Sequence, residues 1–134
     1  MQTETTFYHR EVQRLRDDVY PHDHLIKQVI RSKKFIDNNF SQAISLNDIA
    51  GEAYFSKFHF IRLFKKCYGV TPYQYLTEVR IAEAKKLLKS GAPITTACYS
   101  VGFESLPSFA NLFKKIVGMT PLACQLKHIK SNIR

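Results

Sequence analysis

A chain of 134 residues, 45% of them hydrophobic, suits one compact unit or two very small subdomains that share a helix, and argues against wholesale disorder. Only five Gly and five Pro occur and strand-like alternation is scarce, which points to an all-α fold. The net charge of +9 is uneven: residues 1–24 carry a net −2, residues 53–90 a net +6 and residues 105–134 a net +5, so two basic blocks suggest two contacts with a polyanion.

Taken in chain order, residues 1–23 are weakly patterned and read as an N-terminal arm, either a short flanking helix or a partly ordered segment. Val12, Leu15 and Val19 have helical spacing, and Pro21 closes the stretch. Leu25, Val29, Ile30, Lys33 and Ile36 predict a helix from about 24 to 39, with Lys27, Arg31 and Lys34 on its outer face. Leu46, Ile49 and Ala50 give a short helix, with Ser45 or Asn47 as candidate caps. Ser56 is placed to cap a longer helix whose stripe is Phe60, Leu63, Phe64 and Cys67, ended by Gly69. Thr71-Pro72 then starts a helix reaching about Lys89, with apolar residues on more than one face, as a helix gripped from two sides requires. Its 18 residues span about 27 Å, against roughly 34–36 Å for one turn of B-DNA.

Beyond Gly91-Ala92-Pro93 the pattern recurs. Ile94, Ala97, Cys98 and Val101 give a second short helix, and Gly102-Phe103 a turn in which glycine relieves crowding and Phe103 plugs the core. Ser105 is the next cap, Phe109, Leu112, Phe113 and Ile116 the next stripe, Gly118 the next stop and Thr120-Pro121 the next restart. An offset of 49 residues aligns Ser56 with Ser105, Phe60 with Phe109, Leu63-Phe64-Lys65-Lys66 with Leu112-Phe113-Lys114-Lys115, Gly69 with Gly118 and Thr71-Pro72 with Thr120-Pro121. Short helix, tight turn, longer helix is the helix-turn-helix layout, and it occurs twice. The expected architecture is therefore all-α, with about seven helices. The N-terminal arm (1–23) leads into a first helix-turn-helix subdomain (24–71). A linker helix (72–90), a second subdomain (91–130) and a tail (131–134) follow.

These residues resemble the AraC/XylS family of bacterial transcription regulators over roughly 25–128. The pieces that carry the resemblance are Leu46-x-x-Ile49-Ala50, the run from Ser56 to Gly69, and Thr71-Pro72-x-x-Tyr75-Leu76-x-x-x-Arg80-Ile81-x-x-Ala84-x-x-Leu87-Leu88. Ile94, Gly102-Phe103, Phe109, Phe113-Lys114-Lys115 and Gly118-x-Thr120-Pro121 complete it. The resemblance implies a bipartite domain of seven helices that binds DNA through two recognition helices and controls transcription, most often by activation. It implies double-stranded DNA and RNA polymerase as partners and no cofactor. Many members also carry a ligand-binding or dimerising effector domain, for which this chain has no room ahead of residue 25, so it looks like the small stand-alone members or like the DNA-binding end of a longer protein. Three departures stand out: Ala97-Cys98 replaces the usual Ile-Ala, Pro107 takes a commonly polar recognition position, and Pro121-Leu122-Ala123-Cys124-Gln125 lacks the usual Tyr-Arg.

With each stripe turned inward, the first long helix presents Lys57, Phe58, Ile61, Arg62, Lys65 and Lys66, with Ser56 at its start. A guanidinium at Arg62 can pair with guanine O6 and N7, or remain a solvated salt-bridge arginine. Phe58 and Ile61 suit thymine methyls, with packing between the subdomains as the alternative for Phe58. The second helix presents Leu106, Pro107, Ser108 and Asn111, then Lys114 and Lys115, with Ser105 at its start. Asn111 can pair with adenine N6 and N7 or be an ordinary exposed asparagine. Pro107 offers no donor, so this helix is expected to read more through backbone and shape. The lysine pairs suit phosphates, and Arg80 suits either contact with DNA or a structural ion pair.

Cys67, Cys98 and Cys124 are odd in number, widely spaced and set among apolar neighbours, so buried reduced thiols in a cytoplasmic protein are expected. No run approaches a membrane span and Met1–Thr6 is polar rather than signal-like. An enzyme is disfavoured: no phosphate loop, nucleophile elbow or carboxylate pair is present, and His22-Asp23-His24 lies in a poorly patterned turn better read as exposed than metal-binding. The alternative is a protein-interaction module that keeps the fold with weak or non-specific DNA binding.

Overall fold

A computed structural model of the chain describes residues 23–51 and 57–132. These residues form seven helices: α1 over 23–39, α2 (Leu46–Ala50), α3 (Lys57–Tyr68), α4 (Pro72–Lys89), α5 (Ile94–Ser100), α6 (Leu106–Val117) and α7 (Pro121–Asn132), with no strand among them. The all-α expectation holds. The arm up to His22 and the cap proposed at Ser56 lie outside the described residues.

Local chemistry sets the boundaries. Ser45 caps α2: its Oγ accepts the Asp48 N–H at 3.1 Å, while the Asp48 carboxylate accepts the Ser45 N–H at 2.8 Å. The backbone donor from Ser45 holds the Asp48 carboxyl below its ordinary range. Thr71 and Gln74 form the same reciprocal pair at the start of α4, at 3.2 and 3.0 Å, ahead of Pro72 in the first turn. At the other ends, Gly69 (φ 80°) and Gly118 (φ 90°) take the left-handed conformation that closes α3 and α6. Replacing Thr71 with alanine is expected to cost about 1 kcal/mol of stability. An unchanged urea midpoint would show that the cap contributes nothing.

Two cores result. The first gathers Leu25, Val29 and Ile36 of α1, Ile49 and Ala50 of α2, Phe60, Leu63 and Phe64 of α3, and Leu76 of α4. The second gathers Ile81, Ala84 and Leu88 of α4, Ala97 and Cys98 of α5, Val101 just after α5, Phe109 and Phe113 of α6, and Cys124 of α7. The 18-residue α4 thus gives one end to each core, as apolar residues on several faces require. A polar tie joins three helices of the first unit. The Tyr75 hydroxyl donates to Asp37 at 2.5 Å, and the Lys33 ammonium lies 5.3 Å from the Tyr75 ring centre and 5.6 Å from that of Tyr68.

Several inward assignments are corrected. Ile30, expected on the buried face of α1, is exposed, and Ser32 is buried instead, its hydroxyl donating to the Val29 carbonyl. Cys67 and Ile116, expected to end the two stripes, are both exposed. In their place Tyr68 and Val117 pack on the cores, so the inward lines run Phe60–Phe64–Tyr68 and Phe109–Phe113–Val117. Steps of four follow the ridge that slants across a helix, so the packing line leaves the i+7 position by the last turn. Cys98 and Cys124 are buried as expected; Cys67 is not. The residues that depart from the family pattern have definite places. Ala97 and Cys98 are fully buried, and the Gln125 amide donates to the Ala92 carbonyl at 2.9 Å, tying α7 to the turn before α5.

Candidate nucleic-acid interface

Burying one side of α3 leaves the other side wet. Lys57, Phe58, Arg62, Lys65 and Lys66 are exposed there, while Ile61 is half-buried against the first core. The Phe58 side chain is 76% exposed, which removes packing between the units as its role. Arg62 Nε donates to the Phe58 carbonyl at 3.4 Å, and among the described residues it has no carboxylate partner, so the salt-bridge alternative loses its support.

On α6 the exposed side carries Pro107, Ser108, Asn111, Lys114 and Lys115. Leu106 is half-buried and packs on the second core. Ser105 caps the helix, its Oγ accepting the Ser108 N–H at 3.4 Å, and Pro107 fits the first turn, where a missing N–H costs little. The helices thus bring together the expected residues on two outer faces, except that Ile61 and Leu106 are shared with the cores and Ser56 is undescribed. Neither face carries an acidic residue. Each would meet a polyanion without repulsion from within its own helix.

A groove of about 500 Å³ lies between the units, lined by Ser45, Tyr73, Thr77, Arg80, Phe103, Ser105 and Ser108 among others. Arg80 does not take the outward role or the ion pair left open for it. Its Nε donates to the Phe40 carbonyl at 2.7 Å and one terminal nitrogen donates to the Gln42 carbonyl at 2.9 Å. The guanidinium carbon sits 5.9 Å from the centre of the Phe103 ring. Burial draws its pKa below the ordinary arginine range. Sequence reasoning missed this role because carbonyl oxygens carry no residue signature. The one available signal was a lone arginine within a helix flanked by apolar positions.

Among the described residues no group of three or more His, Cys, Asp or Glu is placed to hold a metal ion. His22, one third of the His22-Asp23-His24 cluster, is undescribed. No helix in the described residues is long and apolar enough to cross a membrane.

A family model described as a helix-turn-helix domain matches residues 49–126. The transposon Tn10 TetD protein of Escherichia coli is 35% identical over 106 residues, covering 78% of this chain and 75% of that protein. The bifunctional transcriptional activator/DNA repair enzyme AdaA of Bacillus subtilis is 37% identical over 89 residues, covering 66% of this chain and 42% of AdaA. The chain spans only 26–42% of AdaA and three other long relatives. Among solved structures, the DNA-binding domain of the global transcriptional factor AdpA, in complex with a target DNA, superposes with a TM-score of 0.72 at 20% identity. That superposition covers 79% of this chain and 96% of the other, a likeness of fold.

Proposed function

The chain belongs to the AraC-type helix-turn-helix family of transcription regulators, and from that premise we propose that it sets α3 and α6 into successive major grooves of one duplex and activates transcription. One observation carries the reading. The two helices that repeat in sequence each bury one face in a separate core and offer an acid-free outer face ending in a lysine pair. The length of α4, about 27 Å for 18 residues, supports a separation comparable to one turn of duplex. AdpA offers a domain of the same fold bound to DNA, and AdaA a relative named as an activator. Activation makes RNA polymerase the expected protein partner.

In this reading 24–71 and 91–130 are the two reading units and 72–90 joins them. Arg62 pairs with a guanine edge, Asn111 with an adenine edge, and Phe58, with the exposed part of Ile61, meets thymine methyls. Ser56, Ser105, Leu106, Pro107 and Ser108 border the bases at the helix starts. Lys57, Lys65, Lys66, Lys114 and Lys115 meet phosphates. A second reading, a protein-interaction module, draws on α7, where Leu122, Leu126 and Ile129 are exposed at i, i+4, i+7.

Selection of duplexes from a random library by the purified protein separates the two. The expected motif has two parts about one helical turn apart. A motif of one part means that a single unit reads bases, and no enrichment removes the DNA reading in favour of the α7 surface. Replacing both Lys114 and Lys115 with alanine is expected to weaken binding on all sequences and to flatten the log–log salt slope by about 1 for each phosphate no longer neutralised. An unchanged slope would place these lysines off the DNA.

A further inference from the structure

A helix shared by two cores fixes how far apart the cores sit. However, α4 gives the first core one buried apolar side chain, Leu76, against Ile81, Ala84 and Leu88 in the second, so core packing alone holds the first unit's rotation about the helix axis less firmly. Interactions that cross from one unit to the other must set that rotation, and they converge on Arg80. Its Nε and one terminal nitrogen take the Phe40 and Gln42 carbonyls, which precede α2 in the first unit, at 2.7 and 2.9 Å. Its guanidinium carbon lies over the Phe103 ring, 5.9 Å from its centre, in the turn that leads to α6 in the second unit. Phe40 itself packs on both cores. Gly102 completes the seam. At φ 105° it lies so close that an added Cβ would sit 2.7 Å from the Phe40 oxygen and 2.9 Å from Arg80 Nε. A donor fork and a stacking plane on one side chain are properties of arginine that lysine lacks.

We propose that Arg80 is a positioning residue for DNA reading: by clasping the Phe40–Gln42 carbonyls and the Gly102–Phe103 turn, it locks the rotation of one unit against the other about α4 and so fixes the half-site spacing the protein accepts. The proposal rests on the two-groove reading above. Adding one base pair between two half-sites moves them apart by about 3.4 Å and turns one against the other by roughly 35°. A locked pair of readers tolerates neither change; a pair free to swivel absorbs the turn.

The test uses the full chain, the duplex that wild type selects, and the same duplex with one base pair added or removed between the half-sites. Wild type is expected to prefer the original spacing by on the order of 100-fold, because a tethered second reader adds nothing when geometry forbids both from engaging at once. Arg80→Ala and Arg80→Lys are both expected to bind the original site more weakly and to discriminate between spacings by less than about threefold, with the same direction in Gly102→Ala. Thr71→Ala serves as a destabilised control outside the seam and must keep the wild-type preference. Should Arg80→Ala not fold, as judged by circular dichroism, Arg80→Lys and Gly102→Ala carry the test. Folded seam variants that keep the wild-type spacing preference overturn the proposal, as does a wild type indifferent to spacing. Absence of any duplex binding by wild type overturns the two-groove reading itself.

Discussion

Replacing Phe113 with alanine is expected to cost about 3–5 kcal/mol of folding stability, a large share of the roughly 5–15 kcal/mol typical of a domain. Phe113 is fully buried, and its ring centre lies 5.6 Å from that of Phe109, which in turn lies 5.2 Å from Phe103. Removing the ring takes apolar surface out of the second core and leaves a void among neighbours on α4, α5 and α7, which cannot all close in. Phe64 holds the corresponding place in the first core, with Tyr68 and Tyr75 centred 4.9 and 6.0 Å away, and Phe64→Ala is expected to cost a similar amount. Urea unfolding followed by circular dichroism measures both. A loss under about 1 kcal/mol in either variant would contradict the packing described here. Because α4 belongs to both cores, a single transition in each variant is the expected form, and two separated transitions would show that the cores melt independently.

Arg62→Ala is expected to weaken binding to the selected site by about 1–3 kcal/mol, roughly 5- to 150-fold, and to relax preference at one base pair. The side chain sits on the exposed side of α3, without a described carboxylate to hold it, one turn from the exposed Phe58. A guanidinium there supplies two parallel donors, the match for guanine O6 and N7. Binding to the selected duplex and to variants changed at each position in turn measures the effect. An equal loss on every sequence would make Arg62 a phosphate contact. The 49-residue offset pairs Arg62 with Asn111, whose amide suits adenine instead, so Asn111→Ala should relax a different position in the other half-site.

Much of this architecture was legible in the residues because its signals are local. Ser45, Thr71, Ser105, Gly69, Gly118 and Pro72 act within one turn of where they stand, and their patterns placed the helix ends. The outer faces followed by subtraction once the stripes were known. What stayed hidden depends on partners distant in the chain. Cys67 and Ile116 share a face with Phe60 and Phe109 on an ideal helix, but the slant of the packing line hands the last inward place to Tyr68 and Val117. Arg80 joins carbonyls 40 and 38 residues away, and main-chain oxygens are the same in every residue. Ile61 and Leu106 belong half to a core and half to an outer face, a division that periodicity alone does not draw.

The two outer faces are not copies. One carries Phe58 and Arg62, the other Pro107 and Asn111 at the matching positions. A palindromic operator read by identical protomers looks the same from either end. Under the proposed two-groove reading, one chain with unlike readers in fixed order would instead act as an arrow on the duplex. Turned end for end, it would set an arginine over the bases meant for an asparagine. Such a regulator can tell upstream from downstream without a second copy, and inverting its site in a promoter would aim the opposite end of the protein at the start of the gene.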